Sequence, residues 1–225
     1  MRAEGDYRTI IPKEEMSMKL SLAHVVGTFA LSLAGAGLLF SPSTSIAAPG
    51  AKPGDQSIVE IVIDAASADP AEFSLLLDAV LYIADTNPDS ALVAGLFDND
   101  QYTVFAPTDA AFADLVGAII DLLDPDILQN DGPFAAIDDL LGAGTVEAVV
   151  SYHVTFGRRA SNSVVPPRRD RTIDTLLEGA SFSVSPSGVI TAVGSTAAIG
   201  PANISARNGV IHVIDAVLLP IDLGL

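Results

Sequence analysis

Apolar residues recur at helical spacing through the middle of the 225-residue chain. In "SIVEIVIDAAS" they lie three or four residues apart, which predicts an amphipathic helix that Ser57 caps. A second helix is predicted to start at Asp69-Pro70 and to stop at Asn87-Pro88. Its apolar stripe comprises Phe73, Leu76, Leu77, Val80 and Leu81.

The stretch "YTVFAPTDAAF" changes abruptly from strand to helix. Tyr102–Phe105 has strand character, Pro107 prevents the strand from continuing, and Thr108 is placed to cap the helix that follows. Asp109 then lies at the positive end of that helix dipole. We interpret the stretch as a scaffold joint and not as a catalytic elbow.

Further helices are predicted on both sides of a turn at Asp124-Pro125-Asp126. Gly142 closes one of them, and Thr145 is predicted to cap the next, which changes to strand near Tyr152-His153. A short segment at Ser90–Phe97 lies before the strand that begins at Tyr102. The predicted helical sequences here are "ADLVGAIIDLL", "PFAAIDDLLGAG" and "TVEAVVSYHV".

The remainder of the chain has the alternation of β-strands. Thr172–Leu177 is a short strand, and "FSVSPSGVITAV" is two strands around a turn. In "ANISARNGVIHVIDAVLLP" the dipeptide Asn208-Gly209 predicts a hairpin. Helices first and strands later indicate the α+β class.

A two-residue Asn-Gly loop also predicts the register of that hairpin. The expected pairs are Arg207–Val210, Ala206–Ile211, Ser205–His212, Ile204–Val213 and Asn203–Ile214. The core face then holds Ile204, Ala206, Ile211 and Val213, and His212 lies on the other face, opposite Ser205.

The N-terminal region has the pattern of a secretory signal at residues 18–47, with a basic start, an apolar stretch and small residues before a cleavage position after Ala47. The alternative is an uncleaved membrane anchor, because the apolar stretch is long enough to span a bilayer. Residues 1–17 are acidic, unlike a signal, and we interpret them as a non-translated or mis-annotated extension. Residues 48–56 are predicted to be a linker before one domain at residues 57–221.

Composition excludes several kinds of chemistry. The chain has no cysteine, so it has no disulfide, thiol nucleophile or Cys-based zinc site. Its net charge of −17 repels nucleic acid. No hydrolase elbow, phosphate loop or dinucleotide fingerprint occurs, so we predict no enzyme activity, no cofactor and no metal.

The histidines of the predicted domain, His153 and His212, have two readings. Each is either a hydrogen-bonded structural residue, which is the commoner case on a strand, or part of a pair that converges across the fold.

Basic residues concentrate in "RRASNSVVPPRRDR". One interpretation is a positive patch for an anionic partner such as a polysaccharide, a lipid head group or another copy of the chain. The other is a solvated loop that neutralises the protein's own acidic field. The residues concerned are Arg158, Arg159, Arg168, Arg169 and Arg171.

Three stretches resemble the motifs of the fasciclin (FAS1) domain family, in the family's order. "YTVFAPTDAAF" resembles its first signature, Tyr152-His153-Val154 its central Tyr-His motif, and "NGVIHVIDAVLLP" its second signature. The segments Ala79–Asp100 and Ala113–Leu141 are longer than in a minimal domain, and the arginine-rich loop is not part of the family pattern.

The resemblance implies a β-sandwich-like wedge of two sheets with flanking helices. It also implies a secreted, periplasmic or surface-displayed module for attachment to cell surfaces or extracellular matrix, whose partner is a protein or a polysaccharide. The family positions implicated in receptor adhesion match Tyr152, His153, Asn203 and Ile204, and Thr108, Asp109 and His212 belong to the motifs. The alternative function is a binding module for a small apolar or glycan ligand held between helices and sheet.

Overall fold

The computed structural model describes residues 54–98, 100–122 and 128–224. The predicted extension, signal and most of the linker lie outside these ranges, as does the turn at Asp124-Pro125-Asp126. The helices are α1 (Ile58–Ala66), α2 (Ser74–Thr86), α3 (Ala91–Phe97), α4 (Asp109–Leu122), α5 (Leu128–Leu141), α6 (Thr145–Tyr152) and α7 (Ser161–Val164). The strands are β1 (Tyr102–Pro107), β2 (Val154–Phe156), β3 (Arg171–Asp174), β4 (Ser181–Val184), β5 (Val189–Thr191), β6 (Thr196–Ala198), β7 (Ile204–Ala206) and β8 (Gly209–Ile214).

Two four-stranded sheets form the β part of the molecule. The first has the order β2-β1-β8-β7, with β1 parallel to β8, and the second is the antiparallel meander β3-β4-β5-β6. The sheets meet where the Leu176 amide donates to Val154 O at 2.7 Å and where Ile199 bridges Ile214. This arrangement, with the helices, confirms the predicted α+β class and its wedge of two sheets.

Apolar side chains fill two clusters. One lies between the helices and the first sheet and includes the buried faces of α1 and α2. The other includes Phe105 of β1, Phe182 of β4 and Ile214 of β8, and therefore lies between the sheets. Phe105 packs edge-on against Phe182 with ring centroids 5.1 Å apart.

The predicted start of α1 is confirmed. Ser57 Oγ accepts from the Glu60 amide at 3.2 Å, and the Glu60 carboxylate accepts from the Ser57 amide at 2.8 Å, which forms a capping box. The predicted start of α2 was wrong, because the helix begins at Ser74 and not at Asp69-Pro70. Phe73, expected on the helical stripe, is the N-cap residue in the left-handed conformation, with its ring fully buried.

Two other boundaries differ from prediction. β1 extends to Pro107, because only β8 pairs with the end of this strand and β2 stops opposite Val104, so the missing proline N–H loses no ladder bond. α6 is not capped by Thr145, which is its first residue. Asp138 of α5 does this instead, since its carboxylate accepts from the amides of Gly144 and Val146 at 3.2 and 2.8 Å.

The hairpin is present, but its predicted register was wrong by two residues. Ala206 pairs with Gly209 and Ile204 with Ile211, so that Arg207 and Asn208 form the loop. The reason is that the Asn208 side chain is buried, where its Oδ1 accepts from the Ile58 amide at 2.8 Å and its Nδ2 donates to Leu96 O at 2.9 Å. An error of two residues leaves each side chain on its predicted face, so the core face was predicted correctly.

Gly209 lies where β8 begins beside β1. A Cβ atom at this position would lie 2.1 Å from Tyr102 O and 2.8 Å from Ile58 Cδ1. Only glycine allows the two backbones to approach so closely. This requirement places Gly209 in the strand and leaves the turn to Arg207 and Asn208.

Candidate functional site

The signature stretch forms a reciprocal joint between two helix N-termini. Thr108 Oγ1 accepts from the Ala111 amide at 3.2 Å, as expected of an N-cap. The Asp109 carboxylate reaches α2, where it accepts from the amides of Ser74 and Leu75 at 3.1 and 2.9 Å and from Ser74 Oγ at 2.7 Å. In return, Glu72 Oε1 accepts from the Asp109 amide at 2.9 Å. Each helix start therefore uses a carboxylate from the other segment.

The Tyr-His motif lies in the interior. Tyr152 is completely buried, its hydroxyl donates to Ser181 O at 2.8 Å, and burial raises its pKa. His153 Nδ1 lies 2.7 Å from Val149 O, and its Nε2 lies 2.8 Å from the Leu218 amide. Because the carbonyl accepts and the amide donates, these partners hold His153 as the neutral Nδ1–H tautomer. Burial lowers the pKa of His153 to about 4.

His212 has a separate set of partners. Its side chain is buried between the Asn203 amide, 3.3 Å from Nδ1, and Arg159 O, 2.8 Å from Nε2. It therefore lies near Asn203 and not opposite Ser205 as predicted, because of the register difference. Burial lowers the pKa of His212. His153 and His212 each bond to backbone groups, and the described residues show no hydrogen bond between them.

The Asn203-Ile204 pair divides between surface and core. Ile204 is half-buried and packs against the helix-side cluster, as its predicted inward position requires. Asn203 is exposed and in the left-handed conformation, which asparagine tolerates. Its side-chain amide accepts from the Ser161 amide and donates to Ser161 Oγ, both at 2.7 Å. Asn203 thus fastens α7, and with it the arginine loop (residues 158–171), to the edge of β7.

The five arginines of this loop do not act alike. Arg158 donates to Ala206 O at 2.8 Å and to Ser205 Oγ, so that it covers the open edge of β7. Arg159 donates to Phe156 O at 3.3 Å, and Arg171 donates to Ser163 O. Arg168 and Arg169 are exposed, and neither has a hydrogen-bond or ion-pair partner within the part of the chain that the structure describes. Arg158 therefore holds the loop to β7, Arg159 and Arg171 form local bonds within or beside the loop, and Arg168 and Arg169 have no such bond among the described residues.

Two features near this loop were not predicted from sequence. The first is α7, a single helical turn inside the loop. The second is the exposure of Phe156 at the end of β2, which exposes 63% of its surface while its ring centroid lies 5.5 Å from that of Tyr102. An alternating pattern at the end of a three-residue strand is too short to show which face is exposed.

Charge is distributed very unevenly along the chain. Between Pro53 and Gly157 the sequence contains nineteen Asp and Glu residues and no Lys or Arg. From Arg158 onward it contains six arginines against five acidic residues. The helices α1 to α6 thus contain no basic residue, all of them except α3 contain acidic residues, and the arginine loop is the main source of positive charge.

A small cavity lies among α2, α4, α5, α6 and the C-terminal segment. Its volume is about 30 Å³, and of its lining residues only Thr145 has a polar side chain. Phe112 of the first signature and Leu219 of the second line the cavity, whereas Tyr152, His153, Asn203 and Ile204 do not.

Neither a metal centre nor a membrane-spanning helix is found in the part of the chain that the structure describes. Among residues 54–98, 100–122 and 128–224, no group of three or more His, Asp or Glu side chains is placed to hold a metal ion. Within the same ranges, none of the helices has both the length and the apolar character needed to cross a membrane.

The family model of the fasciclin domain matches residues 80–220. The chain therefore belongs to the fasciclin domain family, and the resemblance of its three motifs is confirmed.

Two curated mycobacterial proteins are similar to this chain. The immunogenic protein MPB70 of Mycobacterium bovis is 33% identical over 135 residues, which cover 60% of this chain and 57% of MPB70. The cell surface glycolipoprotein MPB83 of the same species is 33% identical over 134 residues, which cover 60% of this chain and 50% of MPB83. The chain thus spans little more than half the length of these relatives.

Among solved structures, a FAS1 domain pair from the insect cell adhesion molecule Fasciclin I aligns with a TM-score of 0.40 and 13% identity. The alignment covers 63% of this chain and 44% of that chain.

Proposed function

We propose that this protein is a non-enzymatic attachment module, secreted or displayed at the cell surface, that binds an anionic surface polymer through its arginine loop. Membership of the fasciclin family supports the class of protein. The name of the relative MPB83, a cell surface glycolipoprotein, supports the location. The partner is an acidic polysaccharide or a protein of the cell surface or matrix.

The observation that carries this proposal is that the arginines of the loop differ in their hydrogen-bond partners. Arg168 and Arg169 have no partner among the described residues, whereas Arg158 donates to β7 and Arg171 donates to Ser163 O within the loop. Had the arginines served only to neutralise the acidic field, they would be expected to pair with carboxylates. Instead, the loop is fastened by bonds to backbone carbonyls, and two guanidinium groups remain available for an anion.

The expected interaction is weak at each site and sensitive to salt. Exposed ion pairs contribute about 0.2–1 kcal/mol each and are screened at high ionic strength. Two free arginines therefore support attachment mainly when many copies meet a polymer with repeated charges, through avidity. The acidic helices repel the same polymer, so it must approach from the side of the loop.

Retention of the purified chain on dextran sulfate beads, with uncharged dextran beads as reference, tests this proposal. Replacement of both free arginines, Arg168→Gln with Arg169→Gln, should remove most of the retention at low salt. Arg207→Gln is the control, because Arg207 is exposed in the β7–β8 turn, outside the arginine loop, and its side chain likewise has no partner among the described residues. Equal retention of the double variant and the wild type would refute the role of the loop.

A second candidate function is the binding of a small apolar ligand, which the apolar lining of the cavity favours. The two functions use different parts of the molecule, since the cavity lining includes none of the arginines. They can therefore be tested separately.

A further inference from the structure

Four helices and the C-terminal segment line the cavity. Its walls include Ala79 of α2, Phe112 of α4, Phe134 of α5, Val149 of α6, and Leu219 and Ile221 of the C-terminal segment. A volume of about 30 Å³ accommodates little more than one water molecule. Because the walls offer almost no hydrogen-bonding partner, water gains little there, and a larger apolar molecule enters only if a wall moves.

The C-terminal strap (residues 216–224) covers this cavity, and it is held unevenly. Its first half is fastened, since the Leu218 amide donates to His153 Nε2 at 2.8 Å and the Leu219 amide donates to Ser195 Oγ at 2.9 Å. Beyond Leu219, the hydrogen bond found among the described residues is local, from the Gly224 amide to Asp222. Ile221 both lines the cavity and exposes 42% of its surface.

The far half of the strap is therefore held by packing, while its near half is pinned to the core. A segment with few hydrogen bonds and an exposed apolar side chain opens at lower free energy than the elements beneath it. Outward movement of residues 220–224 would enlarge the cavity and expose its apolar walls.

The charge of the surrounding elements restricts what can enter. α4, α5 and α6 contain no Lys or Arg, and Asp114, Asp139 and Glu147 are among their acidic residues. No residue that lines the cavity is charged, so the site offers no cation to pair with a carboxylate or phosphate, and the net negative charge of the surrounding helices disfavours an anion. The occupant must therefore be uncharged.

We propose that this cavity is a binding site for one uncharged hydrocarbon chain, of the class of fatty alcohols and neutral acyl esters, and that residues 220–224 move outward to admit it. This proposal rests on the second candidate function, for which it names the ligand class, and it does not depend on attachment through the arginine loop. The walls contact the chain of the ligand, and its small polar end remains at the mouth beside Ile221.

Decanol and decanoate are suitable probes, because they share chain length and differ in charge at neutral pH. Isothermal titration of the purified chain with decanol should show saturable binding of one molecule. Decanoate should bind at least about tenfold more weakly, because the cavity offers its carboxylate no cation and the surrounding helices carry net negative charge. Absence of saturable decanol binding, or equal affinity for both molecules, would overturn the proposal.

A pair of variants locates the site. Val149→Phe fills the cavity from α6 and should abolish decanol binding, whereas Val193→Phe adds the same bulk at a position that is 62% exposed and outside the cavity lining, and should leave binding unchanged. Circular dichroism confirms that each variant is folded, and if Val149→Phe does not fold, Val116→Phe fills the cavity from α4.

Two further variants separate the strap from the loop. A chain that ends at Pro220 lacks the movable cover and should take up decanol faster than the full chain. The Arg168→Gln, Arg169→Gln variant should bind decanol normally even if it no longer binds dextran sulfate. Retained decanol binding in a folded cavity-filling variant would refute the site while leaving the attachment function intact.

Discussion

Replacing Asp109 with alanine should destabilise the domain more than any change to the N-cap of its own helix. Asp109 accepts three hydrogen bonds from Ser74 and Leu75 at the start of α2, where the N-cap residue Phe73 offers no side-chain bond. Its removal leaves the first turn of α2 uncapped and withdraws a negative charge from the positive end of that helix.

The magnitude follows from the number and kind of bonds. A hydrogen bond to a charged group contributes about 1.5–3 kcal/mol, and loss of an N-cap costs about 0.5–2 kcal/mol. The site is half-buried, so water compensates for part of the loss. We expect Asp109→Ala to lower the free energy of unfolding by about 3 kcal/mol. Thr108→Ala removes one bond, to the Ala111 amide, and should cost about 1 kcal/mol.

Urea unfolding followed by circular dichroism measures both values, with an unchanged m-value as the check that only stability has changed. Asp109→Asn is the matched control, because it retains the shape and one acceptor oxygen and should cost roughly half as much as alanine. If Thr108→Ala lowered the free energy of unfolding as much as Asp109→Ala does, the conclusion that Asp109 stabilises the start of α2 would be refuted. Thr108→Ala should also retain dextran sulfate binding, and lost binding at intact stability would indicate a direct contact role.

Two other predictions concern buried groups. The folded chain binds a proton at His153 only near pH 4, whereas the unfolded chain does so at about 6.5, so stability should be full above 6.5 and fall by up to about 3 kcal/mol as the pH drops to 4. Urea unfolding across this range should give a flatter profile for His153→Gln, and parallel profiles would contradict the assignment. Gly209→Ala should cost about 3 kcal/mol or more, because its Cβ meets Tyr102 O, whereas Gly117→Ala, which meets no atom within 4 Å, should be neutral or stabilising. Thermal unfolding compares the two, and an equal effect would refute the close-approach argument.

Local patterns in the sequence were sufficient for most elements. Helical periodicity and the Ser57 cap located α1, and alternation with an Asn-Gly dipeptide located the final hairpin and its core face. These signals depend on neighbours within a few residues, which is why they can be read from the chain alone.

The errors occurred where the decisive partner is distant in sequence. Asn208 and Gly209 were expected to form the turn, but Asn208 bonds to the Ile58 amide, 150 residues away, and the turn consists of Arg207 and Asn208 instead. Likewise, Asp109 accepts from the amide of Leu75, 34 residues earlier, at the start of α2. Asp138, and not Thr145, caps the start of α6. A short-range pattern cannot show that a side chain serves another element.

For the candidate site, the sequence indicated the arginine cluster but not the roles of its members. That Arg158 covers a sheet edge while Arg168 and Arg169 remain free depends on how the loop folds onto β7. As an alternative, the sequence predicted a pocket between helices and sheet, whereas this cavity is lined by four helices and the C-terminal segment. Its walls come from segments far apart in the chain, which no local pattern brings together.

The parallel pairing of β1 with β8 also has a consequence for how the protein is made. Tyr102 leaves the ribosome long before its partner Gly209, so the first sheet cannot close until β8 has been synthesised. Pairing between strands so far apart is slow, and incomplete chains expose unpaired edges in the meantime. The edge of β1 that β8 covers therefore stays unpaired in the nascent chain until β8 emerges.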